Sequence, residues 1–129
     1  MIEYKAGQCN IGTEEVRVRY IMCIMALMAS VACVFMIHWY KSYIALYVVA
    51  YFAFSTAVLT GLQAIKKFCV KHALSGKFNF HAFGKSEKVC NVDDRKRDIQ
   101  KARGMIVFSY TIGLLFLIGN FFLCDYHKL

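Results

Sequence analysis

The chain has 129 residues, which is the length of one domain. Apolar residues make up 59% of it, charged residues make up 19%, and the net charge is +8. Soluble domains average about half apolar and about a quarter charged residues. This composition excludes a disordered chain and, because the apolar residues are clustered, it also counts against an ordinary soluble domain.

Three runs without a charged residue are long enough to cross a bilayer, which takes about 20 apolar residues. Three such helices could not all be buried in a soluble protein of this size. The sequence therefore predicts an all-α membrane protein with three transmembrane helices in a single membrane domain. The predicted order is a cytoplasmic arm (1–13), a first span (14–39), a second span (42–64) with a cytoplasmic extension to about residue 75, a basic cytoplasmic link (76–103), a third span (104–124) and an outer tail (125–129).

The extension of the second helix is predicted from its periodicity. After Gly61, apolar residues and a histidine recur three or four positions apart, on the face opposite the lysines. Ser75-Gly76 is a natural helix stop. After this stop, Phe78 and Phe80 alternate with polar residues, which indicates a short strand or loop that could form an antiparallel ribbon with residues 2–5.

The distribution of Lys and Arg predicts the orientation of the spans. The N-terminal segment carries Lys5, Arg17 and Arg19, and the link between the second and third spans carries most of the other basic residues. The outer turn and the tail carry only Lys41 and Lys128. Because basic residues stay on the cytoplasmic side, we expect an N-in/C-out topology.

The basic link has a second interpretation besides setting the topology. Lysine and arginine at the membrane surface attract anionic lipid headgroups. The residues expected to make this contact are Lys66, Lys67, Lys71, Arg95, Arg97 and Arg103. No DNA- or RNA-binding motif is present, so a nucleic-acid partner is not expected.

Small residues on the second span predict close helix packing. Ala53, Ala57 and Gly61 follow one another at four-residue steps, a spacing that lets helix backbones approach each other. Asn120 is the polar residue of the third span most suited to an interhelical hydrogen bond. These residues pack either within the chain or against a partner. Because a three-span monomer has a thin core, we expect a homo-oligomer or a larger membrane complex.

Four residues of the predicted cytoplasmic face could bind a soft metal. Cys9, Cys69, Cys90 and His72 together offer three thiolates and an imidazole, the ligands of a tetrahedral zinc site. The alternative is that these cysteines pack as small apolar residues. The spacing contains no Cys-x-x-Cys pair, so no cofactor is expected, with zinc or another soft metal kept as the alternative. No catalytic template is present, and no catalytic residue is predicted.

Short motifs around the first two spans carry a resemblance. Cys9-Asn10-Ile11-Gly12 lies before the first span, and Phe68-Cys69 precedes Phe78-Asn79-Phe80. In this layout the chain resembles a group of small uncharacterised bacterial membrane proteins. In that group a glycine tends to follow Phe-Asn-Phe directly, whereas here residues 81–83 intervene. The resemblance implies a multi-pass protein of the bacterial inner membrane and implies no activity.

Together these observations predict a small integral membrane protein. Its expected role is that of a structural or accessory subunit that acts through helix packing and a basic cytoplasmic surface. The alternative is a membrane protein that binds or handles a soft metal through thiols at its cytoplasmic face.

Overall fold

The computed structural model describes residues 4–40, 44–82 and 84–126. Its elements are α1 (Thr13–Tyr40), α2 (Ile44–Ile65), α3 (Val70–Ser75), β1 (Lys77–Phe78), β2 (Glu87–Lys88) and α4 (Val92–Tyr126). Among the described residues, α1, α2 and α4 are each long and apolar enough to cross a membrane. The prediction of a mainly helical chain with three such helices is therefore confirmed. The outer turn at Lys41 and the tail at Lys128 lie outside the described residues.

Helix α2 is the middle of the three long helices. It packs along both α1 and α4, whereas α1 and α4 barely meet in the described part of the chain. Most apolar side chains of the outer two helices are therefore exposed, as at Met28 on α1 and Phe122 on α4. In a bilayer these side chains would contact lipid or another protein, since exposed apolar area is favourable there.

The contact between α2 and α4 depends on a glycine. A Cβ atom on Gly113 of α4 would lie 3.1 Å from Ser55 Cβ and would overlap the Ser55 hydroxyl. Near the same contact, the rings of Phe54 and Phe116 stack with their centroids 3.9 Å apart. The lack of a side chain at Gly113 therefore lets the two helix backbones approach each other closely.

The second helix does not continue to residue 75, so the prediction of one extended helix is wrong in detail. Helix α2 ends at Ile65, and Lys67 has a positive φ of 49°. The chain turns there, and α3 starts at Val70 as a separate helix. The turn is stabilised by Gln63, whose backbone carbonyl accepts the Phe68 N–H (2.9 Å) and whose side chain accepts the Val70 N–H (3.2 Å).

Helix α3 ends where its sequence predicts. Gly76 adopts the left-handed conformation (φ 66°), and its N–H bonds back to the carbonyl of Ala73. The chain then enters β1, which pairs antiparallel with β2 in a two-stranded hairpin. The predicted ribbon with residues 2–5 is not formed at Tyr4 and Lys5, and its residues 2 and 3 lie outside the described residues. Instead, Ile11 makes an isolated parallel bridge with Asn79.

Helix α4 is continuous from the charged segment into the apolar run that begins at Gly104. The side chain of Asn91 accepts the Asp93 N–H (2.9 Å) and so caps its start. The residues buried along it recur at three- and four-residue steps: Asp98, Ala102, Met105, Ser109 and Gly113. One face of a single helix thus joins the polar end of the molecule to the α2 contact.

Candidate functional site: a polar cap at one end of the helices

The polar segments fold together at one end of the three long helices. We call this end the cap, and define it as residues 4–12, 66–82, 84–91 and the start of α4 (92–105). Its small core contains Phe68, Val70, Ala73, Ala102 and Met105. Around that core lie three fully buried or nearly fully buried polar residues, namely Asn10, Asn79 and Asp98.

Asn10 links the N-terminal arm to the turn after α2. Its side chain is fully buried, accepts the backbone N–H of Cys69 (2.6 Å) and donates to the Cys69 carbonyl (3.0 Å). The backbone N–H groups of Asn10 and Ile11 both donate to the Lys67 carbonyl. The left-handed turn at Lys67 therefore exposes the Lys67 carbonyl and the backbone groups of Cys69, and the arm supplies their hydrogen-bond partners. Buried backbone groups need such partners.

Asn79 links the same arm to the segment after α3. Its backbone N–H donates to the Asn10 carbonyl (2.9 Å), and its carbonyl accepts the Gly12 N–H (2.7 Å). A Cβ on Gly12 would lie 3.2 Å from the Phe80 Cα, so a small residue suits this crossing. The Asn79 side chain donates to Glu15 (3.2 Å) and accepts the His81 N–H (2.9 Å).

Asp98 links the arm to α4. The carboxylate is fully buried and accepts the Tyr4 hydroxyl (2.9 Å) and the Gly7 N–H (2.7 Å). Burial, followed by the hydrogen bond to Asp98, raises the pKa of the Tyr4 phenol well above its ordinary value. These two hydrogen bonds from the arm compensate in part for the free-energy cost of burying the Asp98 carboxylate.

Lys101, one turn after Asp98, extends this contact to the core of the cap. Its ammonium donates to the backbone carbonyl of Gln8 (3.0 Å) and lies 4.7 Å from the centroid of the Phe68 ring. A cation over an aromatic face gains electrostatic attraction, more so when it is partly desolvated. The arm is thus bonded to α4 at two successive turns.

A second polar group lies where α1 meets α3. Glu15 is nearly buried, with its carboxylate 3.9 Å from the guanidinium of Arg19 and 3.5 Å from the Nε2 atom of His72. Arg19 Nη2 donates to the thiol of Cys69 (2.9 Å). Within the described residues, Arg19 Nε and His72 Nε2 are buried without a hydrogen-bond partner. Besides lying in the first turn of α1, Glu15 therefore contacts His72 on α3 and Asn79 in the segment after β1.

The four residues of the predicted metal set make different contacts, and His72 lies beside Glu15. Cys69 is buried beside Arg19, and the thiol of Cys9 donates to the Ile11 carbonyl (3.7 Å). Cys90 is exposed, near the carbonyl of Lys88. Among the described residues, no three His, Cys, Asp or Glu side chains are placed to hold a metal ion together. The metal site stays a prediction that metal analysis must test.

All the residues predicted to contact anionic lipid are exposed on the cap. They are Lys66, Lys67, Lys71, Arg95, Arg97 and Arg103. Arg95 also lies over Gly76, where a Cβ would approach its Nε atom to 3.0 Å. The charged groups are therefore available to a ligand, while some of their aliphatic stems cover the cap.

The residues predicted for helix packing do not all lie in helix contacts. Ala57 is buried, and a Cβ on Gly61 would lie 3.2 Å from the thiol of Cys23 on α1. Ala53 is half-buried. Asn120 donates to the Phe116 carbonyl of its own helix (2.8 Å). The sequence reasoning did not single out Gly113 for packing, although Ser109 and Gly113 stand four residues apart as small residues do at helix contacts.

Comparison of the chain with known protein families, with curated proteins and with solved structures gives no match. The three segments that carry the resemblance noted above nevertheless meet in the structure. Cys9–Gly12, Phe68-Cys69 and Phe78–Phe80 form the centre of the cap through the bonds of Asn10 and Asn79. Their shared physical role is to close the cap.

Proposed function

We propose that this chain is a small multi-pass membrane protein that acts as a structural or accessory subunit, with the cap in the cytoplasm. The observation that supports a structural role best is how the polar groups of the cap are used. Asn10, Asn79 and Asp98 are buried, and the side chain of each is hydrogen-bonded to another segment of the chain. Such networks rigidify a fold and specify one arrangement.

The spans support the same proposal. Residues 21–37, 44–64 and 104–124 contain no Asp, Glu, Lys, Arg or His. Ionisable residues within spans are the usual sign of proton relays and ion paths, so a transport role has little support. The long apolar faces of α1 and α4 remain available to neighbouring membrane proteins, either other copies of this chain or a different subunit.

A photo-crosslinking experiment in native membranes tests the subunit role. A photoreactive amino acid at Met28, which is 65% exposed on α1, should yield crosslinks to a second protein chain. The matched control is Ala57, which is 2% exposed in the helix packing and should crosslink only within the chain. Crosslinks to lipid alone from Met28 and from Phe122 on α4, with a monomeric native mass, would contradict the proposal.

The soft-metal alternative remains open to a direct test. Binding by Cys9, Cys69, Cys90 and His72 would require the thiols to leave their present hydrogen bonds. Anaerobic purification, followed by metal and free-thiol analysis, distinguishes the two functions. Stoichiometric zinc or iron with loss of free thiols would favour the metal function over the subunit role.

A further inference from the structure

One cavity of the cap brings several cationic side chains together at the start of the first span. It has a volume of about 430 Å³ and lies between α1, α3 and the hairpin segment. Its walls include Arg19 on α1, Lys71 and His72 on α3, and Lys77 on β1. Glu15 lies at the same wall, where it already accepts a hydrogen bond from Asn79.

Two nitrogen atoms in the cavity wall have unused hydrogen-bonding capacity. Arg19 Nε and His72 Nε2 are buried and have no hydrogen-bond partner among the described residues. The other guanidinium nitrogens of Arg19 make hydrogen bonds only to sulfur, at Cys69 (2.9 Å) and Met22 (3.7 Å), and sulfur is a weak acceptor. The Glu15 carboxylate lies 3.9 Å from Arg19 Nη2 and 3.5 Å from His72 Nε2, as ion pairs without a hydrogen bond. Buried polar groups normally have partners, so this arrangement favours an oxygen-rich anion.

The cavity adjoins an apolar one and shares part of its wall with it. A neighbouring cavity of about 550 Å³ shares Arg19, Lys71 and Ser75 with it and is also lined by Leu59 and Leu74. Arg19 is the last charged residue before the uncharged stretch 21–37 of the first span, so the cationic cavity lies at headgroup depth if α1 crosses the membrane. A ligand that fills both cavities carries an anionic head and an apolar chain.

We propose that these adjoining cavities form a binding site for one anionic phospholipid. The phosphate group occupies the cationic cavity and accepts hydrogen bonds from Arg19 and His72, with Lys71 at the rim. The start of an acyl chain lies against Leu59 and Leu74. This site is more specific than a basic surface that attracts headgroups in general, and it does not depend on the subunit role.

Native mass spectrometry of the full-length protein released from lipid nanodiscs tests the site. The nanodiscs contain phosphatidylcholine with a small fraction of phosphatidylglycerol. The wild type should retain one phosphatidylglycerol in preference to phosphatidylcholine. Arg19→Gln should lower this retention about tenfold, because it removes hydrogen bonds from a charged donor. Arg17→Gln, which removes the same charge from an exposed position on α1, should leave it unchanged. Equal losses in both variants would show a diffuse charge effect and overturn the proposal.

Arg19 also contacts Cys69, so Arg19→Gln could lower lipid retention by destabilising the fold. A second pair of variants tests the site without changing Arg19. Lys71 and Lys67 are both exposed, but only Lys71 lines the cavity. Lys71→Gln should therefore weaken retention more than Lys67→Gln, with thermal unfolding unchanged in both. Equal retention in the two variants would count against the site.

Competition with inorganic phosphate, together with a variant of the apolar wall, distinguishes a lipid site from a site for the free anion. Leu74→Asn, which makes the apolar wall polar, should reduce lipid retention, and millimolar inorganic phosphate should not displace the lipid. If phosphate does displace it and Leu74→Asn has no effect, the cavity binds the anion alone and the lipid proposal is wrong.

Discussion

Replacing Asn10 with alanine should open the cap. The side chain is fully buried and satisfies both the N–H and the carbonyl of Cys69. Leaving one buried polar group unsatisfied costs about 1–3 kcal/mol, and some of the loss is relieved when water enters. For two groups we expect a loss of roughly 2–4 kcal/mol in the free energy of opening, which corresponds to about a 30- to 1000-fold larger open population.

The cysteines of the chain provide the assay. Cys69 is fully buried, whereas Cys90 is exposed near the start of α4. In detergent or nanodiscs, a maleimide should label Cys90 quickly and Cys69 only when the cap opens. Peptide mass spectrometry then gives the labelling rate of each thiol. Asn10→Ala should accelerate the labelling of Cys69 by the factor above and leave Cys90 unchanged.

Two controls separate the hydrogen bonds from a general effect of the arm. Gln8→Ala changes an exposed side chain two residues earlier and should not alter the labelling of Cys69. Asn10→Asp keeps an acceptor for the Cys69 N–H but loses the donor to its carbonyl, so it should still accelerate labelling. The reasoning is refuted if Asn10→Ala labels Cys69 at the wild-type rate, or if wild-type Cys69 already reacts as fast as Cys90.

Two further substitutions test the helix contact and the arm. Gly113→Leu should lower the melting temperature in detergent, because overpacking against Ser55 costs about 1–3 kcal/mol. The control is Gly119→Leu, which should be neutral because a Cβ at Gly119 has no neighbour within 4 Å. Equal effects of the two substitutions would contradict the close α2–α4 contact. The raised pKa of Tyr4 means that its bond to Asp98 contributes fully below the ordinary phenol value of 10.0 and is lost as the pH rises above it. The cap of the wild type should therefore lose more stability between about pH 9 and about pH 11 than that of Tyr4→Phe, and parallel losses would show that the bond contributes nothing.

The three long helices could be predicted from the sequence because their signal is local. A run of about 20 residues without a charge can be read from one segment alone. The signal for the start of α4 is local as well, because the Asn91 side chain bonds to the first turn of the helix and acidic residues occupy that turn. In these elements the sequence and the structure agree because each element is determined by neighbouring residues.

The cap could not be predicted in the same way. The bonds of Asn10 join positions that are 59 residues apart, and those of Asp98 to the arm span more than 90. A buried asparagine or aspartate has no periodic signal, and Asp98 stands among basic residues in the sequence. The spacing of Asp98 with Ala102 and Met105 on the buried face of α4 was the available sign.

The break after α2 shows how a tertiary contact overrides periodicity. The pattern from Leu62 to His72 suits one continuous helix. The turn at Lys67 instead presents a carbonyl to two backbone donors of the arm, and Gln63 satisfies the groups that the helix gives up. The two bonds to the Lys67 carbonyl come from a segment more than 50 residues away, so a local pattern cannot reveal them.

The most direct test of the proposed three-span protein with a cytoplasmic cap is to determine on which side of the membrane the cap lies. Cys90 is exposed on the cap and can report that side through a thiol reagent that does not cross membranes. With the cap in the cytoplasm, Cys90 should be protected in intact cells and labelled in inverted membrane vesicles. Labelling of Cys90 in intact cells, or recovery of the protein outside the membrane fraction, would contradict a three-span protein with a cytoplasmic cap.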